Sequence, residues 1–393
     1  MKILVLSWEF PPRIIGGIAR HVSELYPELV KLGYEIHLIT PNYNRNLIYE
    51  EVEGIHVHRI SVHSGNDFFH WIENMNHAMG AHGGKLISEE CSFGLIHAHD
   101  WLVGDAAIAL KHNFKLPLVA TIHATEWGRN NGIHNTTQHY INSKEEILAY
   151  HAWRIIVCTY YMQSEVKSVL RASRDKIDVI YNGIRPEKKQ QDGNFQAQEF
   201  RRQFATDEEK IVYYVGRMTY EKGVSVLLNA APQVIRSMGN NVKFVIIGRG
   251  NAEHFKQIAG NLGIWHKCYF TGFMSDDNLD KFQTIADCAV FPSLYEPFGI
   301  VALESFAARV PVIVSDTGGL PEVVQHRKTG IVTQTNNPDS LAGGILEVLK
   351  NPSYGQWLID NAYKQLKERF DWYKLAQKTD KVYQQILEDS ALD

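Results

Sequence analysis

Residues 211–223 of this 393-residue chain read IVYYVGRMTYEKG. The first five residues form a compact run without polar–apolar alternation, which predicts a β-strand buried on both faces. A polar loop between Gly216 and Gly223 follows, and a helical pattern starts at Val224. The start of the chain shows the same order of predicted strand, loop and helix. Residues 2–7 (KILVLS) are followed by a glycine-containing loop and then by apolar residues at helical spacing. Two such beginnings, about 200 residues apart, predict two domains of one type.

Strand and helix patterns alternate along both halves, which predicts parallel sheets with helices on both faces. We therefore expect an α/β protein with two Rossmann-like domains. Ligands of such sheets bind beyond the carboxyl ends of the strands, and two facing domains would form a cleft there. The predicted strands are residues 2–7, 35–40, 55–60, 95–98, 118–122 and 155–158, and then 211–215, 242–247, 268–271, 288–291, 311–315 and 330–332.

A polar, lysine- and glutamine-rich segment at residues 185–203 separates the halves and reads as a linker. We place the first domain at residues 1–184 and the second at 185–368. The alternative is one large domain with a surface insertion.

Composition narrows the class of protein. A formal net charge of −4 without blocks of one sign argues against nucleic acid as the main partner. The N-terminus reads as a first strand and not as a signal peptide, and no run of about 18 apolar residues predicts a membrane span. The four cysteines form no C-x-x-C pair, so we expect buried thiols in a cytoplasmic protein, with peripheral membrane contact left open.

Two acids flank a loop and a short apolar run in YEPFGIVALE at residues 295–304. We expect a post-strand loop that holds Glu296 and a helix over residues 300–308 that holds Glu304. Gly299 permits close approach of a ligand, and the amides around Phe298, Gly299 and Ile300 suit an anion. The two acids would then reach different parts of one elongated ligand. The alternative is a capping acid and a surface acid.

Two cations bracket the loop in VGRMTYEKG. Arg217 and Lys222 stand between a strand and a helix, where a guanidinium and an ammonium group suit a phosphate. The matching N-terminal loop carries Gly16 and Gly17 at a helix start. The alternative is that both cations are solvated loop residues. The N-terminal glycine loop is not the complete dinucleotide fingerprint, and Gly248-Arg249-Gly250 is only a fragment of it.

Histidines follow two strands of the first half. His123, in TIHATEWG, follows a strand and either faces a ligand or packs in the interior. LIHAHDW offers His97, His99 and Asp100, which is reminiscent of a metal site. We expect the two histidines to point to opposite faces of their strand, which disfavours shared ligation, and we predict no metal. No Walker A, G-x-S-x-G or H-E-x-x-H motif is present.

Taken together, these stretches resemble the retaining glycosyltransferases of family 4, the glycogen-synthase-like group, which have the GT-B fold of two facing Rossmann-like domains. The resemblance covers nearly the whole chain. It implies that residues 369–393 form a helix that packs back on the first domain. The motifs that carry it are SWEFPPRIIGGIARH (7–21), HAHDW (97–101), TIHATEWG (121–128), YNGI (181–184), VGRMTYEKG (215–223) and EPFGIVALE (296–304).

The resemblance also implies roles for the residues. Glu296 would position the donor sugar, and His123 would lie near that sugar or the reaction centre. The remaining donor contacts would be Arg217, Lys222, Gly16 and Gly17 at the diphosphate, Glu304 at the ribose, and Thr271, Phe273 and Met274 in the segment against the nucleobase.

The implied activity is hexosyl transfer from a nucleoside diphosphate sugar, with UDP-glucose the first candidate, to a glycan or lipid-linked saccharide, without a cofactor or metal. The glycine loop IIGGIAR lacks the lysine that glycogen synthases carry there, which favours a smaller-scale glycan assembly enzyme. Such an enzyme would act in the cytoplasm, with the inner membrane face as a further location. The open alternatives are a sugar-nucleotide epimerase and a non-catalytic nucleotide-sugar sensor. Acceptor identity would depend on loops at residues 42–53, 64–71 and 129–142.

Overall fold

The computed structural model describes residues 1–43, 47–90, 93–186 and 195–390, without the side chains of residues 90 and 390. The chain divides into two compact units. Unit 1 holds residues 1–183 and returns at residue 372, and unit 2 holds Ile184–Asp371. The sequence analysis had placed these boundaries after residues 184 and 368.

Unit 1 is built on an eight-stranded sheet in the order β3-β4-β2-β1-β5-β6-β7-β8. All neighbouring strands pair in parallel except β3, which pairs antiparallel with β4. Two strands were not predicted, since β3 is polar and half exposed and β8 has three residues. The strands are β1 Lys2–Leu6, β2 Glu35–Pro41, β3 Tyr49–Val52, β4 Ile55–Ile60, β5 Phe93–His99, β6 Leu118–Ile122, β7 Arg154–Val157 and β8 Ile177–Val179.

Seven described α-helices accompany this sheet. The last of them, α15, packs against α1, and residues of both helices share one apolar core with strands β1, β2 and β4. Trp372 Nε1, at the start of α15, donates a hydrogen bond to Glu24 of α1. The helices are α1 Gly17–Lys31, α2 Phe68–Glu90, α3 Gly104–Phe114, α4 Glu126–Asn130, α5 Thr136–His151, α6 Tyr160–Val169 and α15 Trp372–Ser390.

Unit 2 contains a six-stranded sheet in the order β11-β10-β9-β12-β13-β14, and every described pair is parallel. Most of these strands are apolar runs because both of their faces are covered, whereas edge strand β11 is largely uncovered. The strands are β9 Lys210–Val215, β10 Val242–Ile247, β11 Cys268–Gly272, β12 Cys288–Phe291, β13 Val312–Ser315 and β14 Ile331–Thr333. The helices are α7 Ala197–Arg201, α8 Val224–Ser237, α9 Ala252–Asn261, α10 Asp276–Ile285, α11 Ile300–Ala307, α12 Leu320–Val323, α13 Pro338–Leu349 and α14 Pro352–Arg369.

The structure corrects two further expectations. The predicted linker at residues 185–203 ends in helix α7, while residues 187–194 lie outside the described part. The predicted acceptor loop at 129–142 is largely helical, because it holds the end of α4 and the start of α5. Cys158, Cys268 and Cys288 are buried thiols that form no disulfide within the described residues, and Cys91 lies outside those residues. Among the described helices, none combines the length and apolar character that a membrane span requires.

Candidate functional site

In unit 2, the predicted cation loop and the predicted acid loop lie side by side. Strands β9 and β12 are neighbours, so the loops that follow them emerge together. The backbone N–H groups of Leu294 and Tyr295 donate to the Glu221 carbonyl at 2.8 and 3.2 Å. Gly223, with φ +67°, permits this approach, since a Cβ there would lie 1.9 Å from the carbonyl oxygen of Pro292. Chain topology thereby joins two motifs that are distant in sequence.

The contact between these loops brings Lys222 onto Glu296. Lys222 Nζ donates to Glu296 Oε2 at 2.8 Å, and Ser293 Oγ lies 3.3 Å from the same oxygen. Both partners of the ion pair are largely buried. Arg217, in contrast, is exposed and pairs with Glu221 at 3.1 Å. The two ion pairs, Lys222 with Glu296 and Arg217 with Glu221, place four charged groups of both signs at the carboxyl end of the sheet.

Helix α11 begins directly after this cluster. Gly299 adopts φ +100° at its N-cap, and Ile300 is its first residue. Phe298 is buried against Phe370, with ring centroids 6.1 Å apart. Glu304 lies in the second turn and is 3% exposed, and its charge adds to the burial that raises the pKa of Tyr213. The predicted separation of the two acids onto loop and helix is therefore present.

Gly318 and Gly319, which the sequence analysis did not single out, pack against the backbone carbonyl of Glu296. Gly319 N–H donates to the Glu296 carbonyl at 2.8 Å. Gly318 has φ +57°, and a Cβ there would lie 2.0 Å from the same carbonyl oxygen. The signal available in the sequence was the TGG triplet that follows strand β13.

The segment predicted to face a nucleobase starts in the last residues of edge strand β11 and continues beyond it, and β11 lies two strands away from β9. Thr271 and Met274 are partly exposed, and Phe273 is 64% exposed with the Arg249 guanidinium 4.4 Å from its ring centroid. The glycines on either side of Arg249 have a structural role. A Cβ at Gly248, for example, would lie 1.8 Å from the Gly216 carbonyl oxygen.

In unit 1, the paired glycines stand at the start of α1 as predicted, and Gly16 is the N-cap. The amides of Ile15 and Gly16 donate to Glu9 Oε2 at 2.6 and 3.0 Å. Glu9 is buried, and burial raises its pKa although these amides and Arg13 oppose the rise. The Gly16 amide thus binds a carboxylate of the protein itself in this structure.

His123 follows strand β6 and is partly exposed. Its backbone N–H donates to Asp100 Oδ1 at 2.7 Å, and its Nε2 lies 3.1 Å from His99 Nδ1. Loss of contact with water lowers the pKa of the His123 ring to about 3, and the positive charge of Arg129 lowers it further. Burial also raises the pKa of Asp100 to about 6. His123 is therefore a neutral imidazole at ordinary pH.

The expectation that His97 and His99 point to opposite faces of their strand is wrong. Residues two apart on a strand share a face. Their rings stack with centroids 4.6 Å apart, and both rings bond to the Tyr26 hydroxyl. One ligand atom each from His21, His99 and His123 lies within 4.8 Å of the others, a grouping that metals also use. A 3.1 Å hydrogen bond already engages Nδ1 of His99 and Nε2 of His123.

Four side chains that are not histidines extend this histidine cluster, and the sequence did not indicate them as a group: Tyr26, Thr121, Asn182 and Tyr383. Tyr383, on α15, bonds His97 Nδ1 at 2.6 Å, and Thr121 Oγ1 lies 2.7 Å from His97 Nε2. Tyr26 joins His97 to His99, and His21 Nδ1 bonds Asn182 at 2.7 Å. Tyr383 lies 286 residues from His97, and no local pattern signals that contact.

Models of two protein families match the chain. One is described as Glycosyltransferase Family 4 and covers residues 15–188, and the other is described as Glycosyl transferases group 1 and covers residues 196–365. An uncharacterized glycosyltransferase of Methanocaldococcus jannaschii, MJ1607, is 37% identical over 99% of both chains. A glycogen synthase of Mycobacterium tuberculosis is 33% identical over 98% of this chain and 94% of its own.

Solved structures agree on the fold. Sucrose-phosphate synthase from Thermosynechococcus elongatus superposes with a TM-score of 0.82 at 22% identity over 99% of both chains. Anabaena Alr3699/HepE in complex with UDP-glucose superposes with a TM-score of 0.78 at 18% identity, over 98% of this chain and all of the other. The fold has two α/β units with mainly parallel sheets, both family models describe glycosyltransferases, and a relative that is 37% identical along the whole length is a glycosyltransferase. The chain therefore belongs to the glycosyltransferases of the GT-B fold.

Proposed function

We propose that this glycosyltransferase moves a hexose, with glucose the first candidate, from a UDP-sugar to a glycan or lipid-linked saccharide, with retention of anomeric configuration. The observation that carries the proposal is the 2.8 Å contact between Lys222 and Glu296. It joins a cation suited to a diphosphate to a carboxylate suited to sugar hydroxyls, at the strand ends where ligands of such sheets bind.

The similarity to proteins of known ligand supports the donor. The HepE structures contain UDP, UDP with glucose, or UDP-glucose. The mycobacterial relative is named a glycogen synthase. UDP-glucose is therefore the first donor to test, followed by ADP- and GDP-sugars.

Bond breakage leaves growing negative charge on the departing diphosphate. Lys222 and Arg217 would stabilise that charge where it develops, and removal of one such donor costs about 10²–10³ in rate. Their present partners, Glu296 and Glu221, keep both cations oriented before the donor binds. The two cations would supply the positive charge that a metal provides elsewhere, so we propose metal-independent transfer. The departing phosphate would accept the proton of the acceptor hydroxyl on the same face.

The test is a donor and acceptor screen followed by variants. We expect release of nucleoside diphosphate only with an acceptor present, and NMR of the product should show the donor's anomeric configuration retained. Lys222→Ala should lower kcat by about 10²–10³-fold. Lys256→Ala is the matched control, because it removes another lysine from an ion pair, that with Glu253 at 2.6 Å, outside the proposed site.

Three outcomes would contradict the proposal. Equal activity of the Lys222→Ala and Lys256→Ala variants would remove Lys222 from the mechanism. An inverted product would refute retention. Conversion of the donor without any acceptor would favour an epimerase.

A further inference from the structure

A group of polar side chains that the proposed function does not use lies on one face of the unit 1 sheet. Glu35 and His37 are two residues apart on β2, and His56 and His58 are two residues apart on β4. Alternate residues of a strand share a face. Strands β2 and β4 pair in parallel with His37 directly opposite His56, so these side chains meet on one surface.

This surface lies at the amino ends of its strands. Glu35 is the first residue of β2, and His56 is the second residue of β4. The opposite face of both strands contributes apolar side chains to the core of unit 1. Ligands of parallel α/β sheets bind beyond the carboxyl ends of the strands. The histidines of β2 and β4 are therefore at the other end of the sheet from the loop that holds Gly16 and Gly17.

Glu35, His37 and His56 have the spacing of a metal-binding group. One ligand atom from each of them lies within 4.8 Å of the others. Within the group, Glu35 Oε1 lies 3.1 Å from His37 Nε2. A tetrahedral Zn²⁺ ion with bonds of about 2.0–2.2 Å separates its ligand atoms by about 3.4 Å. The carboxylate and the first imidazole are therefore already at ligand spacing, and the nitrogen of His56 needs to approach by about 1.4 Å at most.

Both imidazoles are held at their other ring nitrogen. The Tyr49 hydroxyl lies 2.8 Å from His56 Nδ1, and His58 Nε2 lies 3.1 Å from His37 Nδ1. Histidines that bind a metal almost always hydrogen-bond a second group through the nitrogen that does not bind it, and this contact fixes the orientation of the ring. The outer contacts that a metal site requires are therefore present.

Lys2 would compete with a metal ion for Glu35. Its Nζ lies 2.9 Å from Oε1, the same oxygen that contacts His37. An ammonium group and a divalent cation repel each other, so the carboxylate can serve one of them at a time. Imidazole nitrogens suit zinc, whereas Ca²⁺ and Mg²⁺ prefer oxygen ligands.

We propose that Glu35, His37 and His56 bind a divalent transition-metal ion, with Zn²⁺ the first candidate. The ion would displace Lys2 from Glu35 and link the neighbouring strands β2 and β4. It would stabilise unit 1 and take no part in the proposed transfer, for which we expect no metal. The signal in the sequence was the pair of motifs E-x-H (35–37) and H-x-H (56–58), which by themselves do not show that the two strands are neighbours.

The test is calorimetric titration of the full chain with ZnCl₂, without donor or acceptor. We expect the wild type to bind Zn²⁺. Glu35→Ala removes a ligand whose side chain is 44% exposed, so the variant should fold. Glu35→Ala and His56→Gln should each weaken zinc binding by more than the roughly tenfold expected for Tyr49→Phe, which removes only an outer contact. Lys2→Met should tighten zinc binding, because it removes the competing ammonium group.

His151→Gln is the matched control. It removes a histidine from another close pair of unit 1, in which His151 Nδ1 lies 3.2 Å from His112 Nε2. No third ligand joins that pair within the part of the chain that the structure describes, so zinc affinity should remain that of the wild type. Zinc should also raise the urea midpoint of the wild type and of His151→Gln but not that of Glu35→Ala, and MgCl₂ should raise none of them.

Four results would overturn the proposal. They are a wild type that does not bind zinc, unchanged zinc binding in Glu35→Ala and His56→Gln, loss of zinc binding in His151→Gln, and weaker zinc binding in Lys2→Met. The titration contains no donor sugar, so its outcome does not depend on the proposed function. Failure of the transfer assay would likewise leave the metal site unaffected.

Discussion

Replacement of Gly318 by alanine should disable the candidate site through the backbone of Glu296. A Cβ on Gly318 would lie 2.0 Å from the Glu296 carbonyl oxygen and 2.9 Å from its carbonyl carbon. Ordinary contacts of a Cβ begin at 3.4 Å, so one of the two segments must move by about 1.4 Å. The obstacle is backbone, which cannot rotate away as the end of a side chain can.

Two separate costs arise from this substitution. The positive φ of +57° costs an L-residue about 1–2 kcal/mol, which should appear as lost stability. The displacement of Glu296 should appear in catalysis, because misplacement of a catalytic group by about 1 Å costs about 10²-fold in rate. It also loses the 2.8 Å hydrogen bond from Gly319.

A second glycine separates the two costs. Gly239 has nearly the same φ, +60°, but a Cβ there would meet nothing within 4 Å. Gly239→Ala should therefore lose a similar amount of stability and keep its activity. We would measure urea unfolding and kcat of both variants with the donor identified by the screen. A Gly318→Ala enzyme that turns over as fast as Gly239→Ala would refute the role assigned to Glu296.

Two other predictions concern charge. Glu296→Gln should reduce transfer yet tighten UDP binding, because it frees Lys222 from its ion pair for the diphosphate, and about 1 kcal/mol released in this way corresponds to about fivefold in Kd. Lys222→Ala should instead weaken UDP binding, and calorimetry that shows the same direction for both variants would contradict this. The second of these predictions concerns Glu145, whose pKa burial raises to about 8 in the folded chain. At pH values between the pKa of this carboxyl in the unfolded chain and about 8, the folded chain therefore holds a proton that the unfolded chain has lost. Stability should accordingly fall with rising pH by up to about 1.4 kcal/mol per unit, and Glu145→Gln should flatten that slope in urea titrations at about pH 6–8. An unchanged slope in the variant would assign the pH dependence to other groups.

Much of the fold could be read from the sequence because buried parallel strands are uninterrupted apolar runs. Predicted strands such as 55–60, 118–122, 242–247 and 288–291 match the observed bounds. Strand β3 was not predicted, because half of its side chains face solvent. Its sequence of polar and apolar residues therefore does not differ from that of a loop. The loops that hold the candidate site were also predictable, since they follow strands and precede helices.

The amino-acid sequence by itself determined the alternating architecture, the glycine-dependent helix starts and the identities of the charged groups in the loops. Only the tertiary structure decided which of these groups meet. Lys222 and Glu296 are 74 residues apart and touch because β9 and β12 are neighbours in the sheet. Tyr383 reaches His97 because α15 packs back on unit 1. Local propensities depend on near neighbours along the chain, whereas these contacts depend on strand order and helix packing, which arise from burial of the whole apolar surface.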